Sequence, residues 1–568
     1  MGDSAFSLPT LMVIVPAAGG LIAMSMVTRR AAAITSLLTF LLQSALIAIG
    51  AVQLHRYAEA ADGNPLPSCA APVAREHSQI VLAQCSHWFP KWGIEYHVAL
   101  GWAALGLIAV TTLVTAAATS FTWWADRERP APMHGLMWLS AASLVGLFVA
   151  RDLVLFYVFF ELMLLPMLVL VGVWGGEGRV RATMTMFLYT FVGSLPMLVG
   201  IIGAGLATSD ALHAAGGDST KLASFSLTTM SSLVGSGDLH LSSWILASFL
   251  LAFAIKGPLA PFHGWLPTAY REAPAEVTAM LSGIISKAAY FGLFAIVLPL
   301  FPTQLAGGWG TGLAWVALAS LLYGSLAAFR QPDPRGVVAY SSLAQMGLIV
   351  LGLTAFVGGG EAQGLGGAYL QTINHALVST ALFLFVGIIE IRSGERTFAR
   401  MGALATGRAR LASIGLVLAL IALAVPGATT FAGELLILAG VFRGDVGGPL
   451  VAALASTAVI LAAMYALRLV AGIAFTSDDD VATEGAAATK RFGGDLGGRE
   501  LLVLGPVVIA LLVLSAWPNL LHRGMQQPPV PVQASTDPVA KLQASPPAAD
   551  DTSESTHDSS ERAQENGE

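Results

Sequence analysis

The chain has 568 residues, of which 55% are apolar and only 11% are Asp, Glu, Lys or Arg, whereas about 25% of the residues of a soluble protein are charged. This composition excludes an ordinary soluble domain. The formal net charge is −6, but residues 525–568 carry eight acidic and two basic side chains, so the rest of the chain is neutral. The neutral body indicates no charged partner, and we expect no nucleic-acid partner.

Apolar runs of about 20 residues follow one another along this neutral body, and a helix of that length crosses a hydrocarbon core of ~30 Å. The fourteen predicted helices lie near residues 8–27, 31–53, 97–121, 134–150, 153–174, 182–206, 242–263, 275–301, 309–329, 337–357, 368–390, 409–441, 451–475 and 500–521. The predicted fold is therefore an all-α polytopic membrane protein.

The charges beside the first run predict its orientation. No basic residue precedes the run, and Arg29 and Arg30 follow it directly, which is the reverse of a signal peptide. We expect a retained helix with its N-terminus outside. This orientation puts seventeen Lys and Arg in cytoplasmic loops and nine in external ones, in agreement with the positive-inside rule.

The cysteines and glycines limit the cofactors that the chain could hold. Cys69 and Cys85 fall in the long external loop 54–96, where an oxidising compartment permits a disulfide, but the sequence does not decide whether one forms. Two cysteines are too few for an iron–sulfur cluster, which usually needs four. No glycine-rich stretch follows a predicted strand, so none is a dinucleotide fingerprint. We expect no redox site in this chain.

Four ionisable residues lie inside the predicted transmembrane runs: Glu161, Lys256, Lys287 and Glu434. A charge at the middle of a bilayer costs about 2.5 to 3.5 kcal/mol on insertion scales, so each such residue is a functional candidate by default. The alternative is that these residues pair with one another and only fix the packing of the helices.

Two of the four lie beside prolines. Pro258 follows Lys256 and Pro426 precedes Glu434; proline interrupts the backbone hydrogen-bond ladder, so the seventh and twelfth helices are predicted to be discontinuous. They take the fourth place in two five-helix units, helices 4–8 and 9–13, and the odd number of helices makes the units inverted repeats. Paired broken helices in inverted repeats indicate ion-coupling sites. The residues alone therefore predict a secondary transporter or an ion-pumping subunit.

This pattern divides the chain into five parts. We expect helices 1–3 in residues 1–133, the two repeats in 134–301 and 309–475, and a last helix in 500–521. Residues 525–568 mix Pro, Ala, Ser, Asp and Glu without helical periodicity, which predicts a disordered external tail. Electrostatic docking of a partner on this tail is the alternative interpretation.

Three further polar residues could link the two repeats: His263, Gln345 and His375. Histidine titrates near neutral pH and suits a proton relay, although a lone buried histidine is often a packing residue. Gln345 does not titrate and could only orient water. Glu390 and Arg468 lie near helix ends, where snorkelling is a sufficient explanation.

Four segments together resemble a known family over residues 8–521. They are FELMLLPMLVLVGVWGG, KGPLAPFHGWLPTAYREAPAEVTAMLSGIISKAAYFGL, YGSLAAFRQPDPRGVVAYSSLAQMGL and PGATTFAGELLILAG, and they look like the antiporter-like, proton-translocating membrane subunits of respiratory complex I, the NADH-quinone oxidoreductase. The subunit M branch fits best, because Glu434 stands where the L and N branches and the sodium/proton antiporters usually carry a lysine. An Mrp-type cation/proton antiporter or a related hydrogenase-linked ion pump is the alternative, and a non-conducting scaffold subunit is a third reading.

The resemblance implies that quinone reduction elsewhere in the complex drives proton transfer through this chain. Glu161 and Lys256 would form a charge pair in the first half-channel, with Lys287 as a connecting site. His375 would belong to the central hydrophilic axis, and Glu434 would be the terminal site from which a proton leaves to the outside.

The resemblance also implies partners and a location. NADH, FMN, iron–sulfur clusters and quinone are expected in partner subunits, and the partners are other complex I membrane subunits, especially the L-like and N-like ones, in the lipid bilayer. The chain is expected in the cell inner (plasma) membrane with both termini on the periplasmic side. Two positions depart from the family pattern: Gln345 is often histidine, and Gly101 stands where an aspartate is common. These departures suggest a divergent or second paralogue.

Overall fold

The computed structural model describes six stretches of the chain, residues 7–60, 82–214, 222–357, 362–401, 403–474 and 488–521. Cys69 and the acidic tail lie outside the described residues. The disorder of the tail and its external location therefore stay predictions.

The described chain is built almost entirely from helices. Their bounds are α1 (Leu8–Ser25), α2 (Arg29–Ala60), α3 (Trp102–Trp124), α4 (Pro130–Val149), α5 (Leu153–Leu162), α6 (Leu164–Trp174), α7 (Arg179–Ala214), α8 (Leu227–Ser236), α9 (Ser243–Lys256), α10 (Leu266–Glu272), α11 (Ala275–Met280), α12 (Lys287–Gly292), α13 (Leu298–Leu300), α14 (Pro302–Ala306), α15 (Gly308–Phe329), α16 (Pro334–Thr354), α17 (Ala362–Ser393), α18 (Phe398–Met401), α19 (Ala409–Ala422), α20 (Thr429–Arg443), α21 (Gly448–Ala474) and α22 (Gly498–Ala516). Among the described residues, twelve helical spans are long and apolar enough to cross a membrane; α5 with α6 forms one span, and so does the segment from α11 to α13. The predicted polytopic helical membrane fold is confirmed.

The predicted interruptions of the seventh and twelfth helices are also confirmed. The helix of the seventh run, predicted at 242–263, stops at the end of α9, and residues 257–265 separate α9 from α10. The twelfth run is divided into α19 and α20 with residues 423–428 between them. Because α9 and α19 have only 14 residues each, they are shorter than the twelve spans. The total of fourteen transmembrane helices and the division into two repeats therefore remain predictions.

Two helical segments at the centre have no lipid-facing side. In the most apolar 18-residue stretch of Ala275–Leu300 and of α17, 100% of the residues are buried inside the protein. The corresponding share is 22% in α2 and 39% in α7. A helix that is apolar on all sides belongs in the interior of a large protein. Lys287 and His375, which these two segments carry, are 1% and 5% exposed. Both side chains are therefore shielded from lipid by surrounding helices.

A β-hairpin occupies the last part of the predicted external loop. β1 (Leu82–Phe89) pairs antiparallel with β2 (Ile94–Leu100), and the turn passes through Gly93 at a φ of 66°, where a residue without Cβ has no steric penalty. The prediction that the third helix begins near residue 97 is therefore wrong, since α3 begins at Trp102. Cys85 in β1 is disulfide-bonded.

Ion pairs join the loops that the sequence assigns to one side of the membrane. Five pairs link different helix ends: Arg29–Asp126, Arg127–Glu276, Arg271–Asp333, Arg335–Glu390 and Arg392–Glu500. We call this face of the protein the arginine side. These loops meet on one side, as the predicted topology requires, while the orientation of that side towards the cytoplasm remains a prediction.

Glu390 is not a snorkelling residue. Its carboxylate binds the Arg335 guanidinium through two contacts, at 2.8 Å to Nε and 2.6 Å to the terminal nitrogen. Both side chains are buried, with exposed fractions of 9% and 8%. The snorkelling interpretation of Glu390 is therefore wrong, because the charge is paired inside the protein instead of reaching water.

Candidate functional site

Glu161 and Lys256 form the first cluster of buried charge. Glu161 is the penultimate residue of α5, and Lys256 is the last residue of α9. The Glu161 carboxylate interacts electrostatically with the Ser194 side chain and with Lys256, although no direct salt bridge joins the two charges in the described part of the chain. The Lys256 ammonium is 3% exposed and lies 5.0 Å from the centre of the Phe160 ring, within the range of a cation–π contact.

The turn that follows Lys256 packs directly against α12, the helix that begins at Lys287. Pro258 cannot donate to the backbone ladder, so α9 ends and the chain turns at Gly257. A Cβ added to Gly257 would lie only 2.7 Å from the Cβ of Ala289 in α12. Only glycine therefore fits between the helix that ends at Lys256 and the helix that starts at Lys287.

His263 lies in the interruption between α9 and α10. Its half-buried ring is 5.0 Å from the ring of Tyr323 and 6.4 Å from that of Tyr340, centre to centre. Within the described ranges, Nδ1 of His263 has no hydrogen-bond partner. The structure thus places His263 beside two tyrosines and joins it to none of the other predicted site residues.

Lys287 is completely enclosed and donates to three acceptors. Its Nζ lies 2.8 Å from the Ser282 carbonyl, 3.2 Å from the Ser286 hydroxyl and 2.6 Å from Nδ1 of His375. A π-helical turn, Leu281–Ile285, comes immediately before it, and such turns often mark functional sites. An ammonium has three N–H donors, so this environment satisfies the charged lysine completely.

A group of serines behind Lys287 escaped the sequence analysis. The Ser282 hydroxyl lies 2.9 Å from the Ser342 hydroxyl and accepts from the Ser379 hydroxyl at 2.5 Å. These residues come from three helical segments that are far apart in the chain. The sequence did contain one indication of this group. Ser282 and Ser286 are four residues apart, so they lie on one face of the helix just before Lys287.

His375 connects Lys287 to an internal cavity. The cavity has about 40 Å³ of space that the centres of water molecules can reach, and His375, Gln345, Gln371 and Tyr465 contribute to its lining. A site for one water needs roughly 10–15 Å³ of such space, so about three waters fit. The second ring nitrogen of His375, Nε2, has no hydrogen-bond partner among the described protein atoms.

Glu434 is at the end of a row of amide side chains that all donate in its direction. Asn374 Nδ2 donates to Gln371 Oε1 at 3.4 Å, Gln371 Nε2 to Gln345 Oε1 at 2.7 Å, and Gln345 Nε2 to Glu434 Oε1 at 3.2 Å. Asn374 is in turn fixed by Thr429, which donates to its Oδ1 at 2.8 Å. Hydrogen bonds that donate to an ionised carboxylate are stronger than neutral ones, so this row favours a negative charge on Glu434.

Gln371, Asn374 and Tyr465 are also residues that sequence reasoning did not single out. Gln371 precedes Asn374 by three residues and His375 by four on α17, so a polar stripe on a largely apolar helix was the available signal. Tyr465 of α21 gave no such signal. It lines both the cavity at His375 and a smaller one of about 10 Å³ that Glu434 and Gln345 also line.

The predicted site residues thus fall into separate groups. Glu161 and Lys256 form one, Lys287 and His375 a second, and Gln345 and Glu434 a third. Between the first two groups, no side-chain hydrogen bond is present in the described ranges; the contact there is the close packing after Lys256. The last two share the lining of the larger cavity.

One group of metal-ligand residues lies outside the transmembrane spans. Atoms of Cys85, Glu95 and His97 approach within 4.8 Å of one another. Burial lowers the pKa of His97 to about 4, which leaves a neutral ring that could ligate. Because Cys85 is disulfide-bonded, its sulfur is no thiolate ligand, and this group does not fit a metal centre.

Comparison with known proteins places the whole candidate site inside one family segment. A family model described as "NADH:quinone oxidoreductase/Mrp antiporter, TM" matches residues 150–473, a range that contains all seven predicted site residues. The NADH-quinone oxidoreductase subunit M of Rickettsia prowazekii is 30% identical over 432 residues, which are 76% of this chain and 82% of that protein.

Two solved structures have a similar fold. A chain of respiratory complex I from Thermus thermophilus with bound NADH matches with a TM-score of 0.71 and 30% identity, over 91% of this chain and 97% of that chain. A chain of the Mrp complex from Dietzia sp. matches with a TM-score of 0.71 and 21% identity, over 95% of this chain and 99% of that one. The second likeness shows the fold alone.

Proposed function

Because the chain belongs to the NADH:quinone oxidoreductase/Mrp antiporter membrane-subunit family, we propose that it is the M-type, proton-translocating membrane subunit of an NADH-quinone oxidoreductase. The observation that carries this proposal is the 2.6 Å contact between Lys287 and His375 inside two completely buried helical segments. Two ionisable groups in direct contact at such depth can exchange a proton, and a scaffold has no need of either.

In the contact between Lys287 and His375, the imidazole can accept a proton at one ring nitrogen and release one from the other. When Lys287 is charged, it donates to Nδ1, so the neutral imidazole carries its own proton on Nε2. A proton that passes from Nζ to Nδ1 leaves Nε2 free to release a second one. Since Nε2 meets no protein partner in the described part of the chain, water in the adjoining cavity is its acceptor in this scheme.

The last transfer runs from the cavity to Glu434. Amide side chains do not take up protons at physiological pH, so Gln345 and Gln371 orient water and stabilise the ionised carboxylate. Tyr465 lines both cavities and offers a hydroxyl between them. Glu434 then serves as the terminal site, from which the proton leaves on the external side.

The first half-channel operates through separation of charge. Weakening the interaction between Glu161 and Lys256 lowers the affinity of the buried lysine for its proton, since desolvation disfavours the charged form. The proton then moves towards Lys287. Moving one charge against 100 mV costs about 2.3 kcal/mol, and quinone reduction in neighbouring subunits supplies this energy.

The partners follow from the same proposal. NADH, FMN, iron–sulfur clusters and quinone are bound by other subunits, and the nearest membrane neighbours are L-like and N-like subunits. The assembly lies in the cell inner membrane with both termini of this chain on the periplasmic side.

Replacement of Glu161 or Lys256 by alanine tests the function. Membrane vesicles are energised with NADH, and proton uptake is followed with a pH-sensitive dye while assembly is checked on native gels. Both variants should lose proton pumping with the complex still assembled. Glu177→Ala is the matched control, because Glu177 is exposed in the loop after α6. Full pumping in both variants overturns the proposal, and sodium efflux by the chain without redox partners would establish an Mrp-type antiporter instead.

A further inference from the structure

A second and much larger pocket lies away from the proton path. It is lined by α2, α3, α4 and α22, and its volume of about 380 Å³ is almost ten times that of the cavity at His375. Most of its lining is apolar, including Phe40, Leu113 and Pro506. None of the groups assigned to proton transfer lines it.

The pocket has the depth of one membrane leaflet. On α3 it extends from Trp123 at the arginine side to Leu113, ten residues away, and at 1.5 Å per residue this span is about 15 Å. The hydrocarbon core of a bilayer is ~30 Å thick, so the pocket reaches roughly the midplane. Leu37 and Leu502, which also line it, are 56% and 63% exposed, and the pocket therefore opens on the lipid-facing surface.

The polar groups of the pocket are concentrated at its arginine-side end. The Trp123 ring is flanked by two guanidinium groups, Arg29 at 5.9 Å and Arg499 at 5.5 Å from the ring centre. Arg29 is neutralised by Asp126. Arg499 is exposed and makes neither an ion pair nor a hydrogen bond with the described residues, so its positive charge is available to a ligand.

A buried histidine in the same wall has one ring nitrogen without a partner among the described residues. His134 is 1% exposed, and its Nδ1 lies 2.7 Å from the Ser36 hydroxyl. Its other nitrogen, Nε2, is buried without a hydrogen bond to any described residue. An unsatisfied buried polar atom is costly, and a polar group beside this nitrogen would stabilise the wall of the pocket.

We propose that this pocket binds one anionic phospholipid, with an acyl chain between α2, α3 and α22 and the headgroup phosphate at Arg499. The apolar depth matches a single leaflet, and the unpaired guanidinium at the mouth matches the charge of the headgroup; basic pockets between transmembrane helices are known to take such lipids. The proposal does not depend on the function assigned above.

Photoactivatable lipids test the proposal. The assembly that contains the full chain is placed in nanodiscs of phosphatidylcholine doped with either phosphatidylglycerol or phosphatidylcholine carrying a diazirine on its acyl chain, and labelled peptides are mapped by mass spectrometry. Phosphatidylglycerol should label α3 and α22 several-fold more than phosphatidylcholine. Arg499→Ala should lower this labelling about fivefold, the effect of one arginine near an anionic surface. Arg181→Ala, an exposed arginine on α7 away from the pocket, should not change it.

A second variant distinguishes lipid bound in the pocket from lipid that is only attracted to the exposed charge of Arg499. Ala116 contributes to the pocket wall, and Ala116→Phe should abolish the labelling by filling the space while proton pumping continues. Equal labelling by the two lipids, or unchanged labelling in Arg499→Ala, would overturn the proposal. So would cross-linking of a photoreactive residue at position 37 to a polypeptide, because the pocket would then be covered by a protein partner.

Discussion

Lys287 and His375 are 88 residues apart in the sequence, and their side chains meet at 2.6 Å in the centre of the protein. The lysine comes from a segment with a π-helical turn before it, and the histidine comes from the middle of α17. Their contact joins the first half of the family segment to the second.

His375→Leu should lower NADH-driven proton pumping by about a hundredfold or more, the usual effect of losing a positioned acid–base group. His375→Gln distinguishes the roles, because a glutamine oxygen can still accept from Lys287 but cannot carry a proton. We expect it to pump as poorly as the leucine variant. His240→Leu, an exposed histidine before α9, is the control. Normal pumping in His375→Gln would mean that the histidine only holds Lys287 in place.

Gln345 is expected to act through hydrogen bonds alone. Gln345→Leu removes the donor to Glu434 and the acceptor for Gln371, so proton pumping should decrease. Gln345→His restores a donor and adds a titratable ring next to the cavity, and it should pump at least as well as the wild type. Rates measured with the same dye assay check both variants. A leucine variant with unimpaired pumping would show that the row of amides is dispensable.

Arg335→Leu should destabilise the protein by about 3–5 kcal/mol, because the buried Glu390 carboxylate would lose its only ion-pair partner among the described residues. The double variant Arg335→Leu with Glu390→Leu leaves no unpaired charge and should recover most of the loss. Unfolding of the purified protein in detergent measures both. If the double variant is as unstable as the single one, the cost is one of packing and not of unpaired charge.

Asp152 should make the stability depend on pH. Burial raises its pKa from 3.8 to about 7, although its carboxylate accepts hydrogen bonds from the Val154 and Leu155 amides at the start of α5. Between about pH 4 and 7 the folded protein thus holds a proton that the unfolded chain has released. The stability from this group is fully present below pH 4 and is lost as the pH rises through 7.

Asp152→Asn is the matching variant, because asparagine also caps a helix and does not titrate. Its midpoint of thermal unfolding in detergent should change less between pH 5 and pH 8 than that of the wild type. Equal pH dependence in the two proteins would contradict the raised pKa of Asp152.

The sequence was sufficient to predict the membrane helices and the positions of their interruptions. Charges inside apolar runs are rare because they are costly, so Lys256 and Glu434 stood out without any knowledge of their neighbours. Prolines beside them indicated the breaks, since the loss of a backbone donor is a local effect. Such features depend on a few consecutive residues, which a single sequence shows directly.

The contacts between helices could not be predicted in the same way. The partner of Lys287 depends on how α12 and α17 pack, and the role of Gln345 depends on Gln371 and Glu434, from two other helices. The hairpin before α3 and the pairing of Glu390 with Arg335 were missed for the same reason. Each depends on residues that only the tertiary structure brings together.

The glycine after Lys256 has a mechanical consequence. Because Gly257 has no side chain and Ala289 contributes only its methyl group, the turn and α12 pack together without any group that could change rotamer to absorb a displacement. Close-packed interiors are barely compressible and transmit strain. We therefore expect a shift of the turn after Lys256 to displace the helix that begins at Lys287, which would couple the two lysines mechanically although no side-chain hydrogen bond connects them in the described ranges.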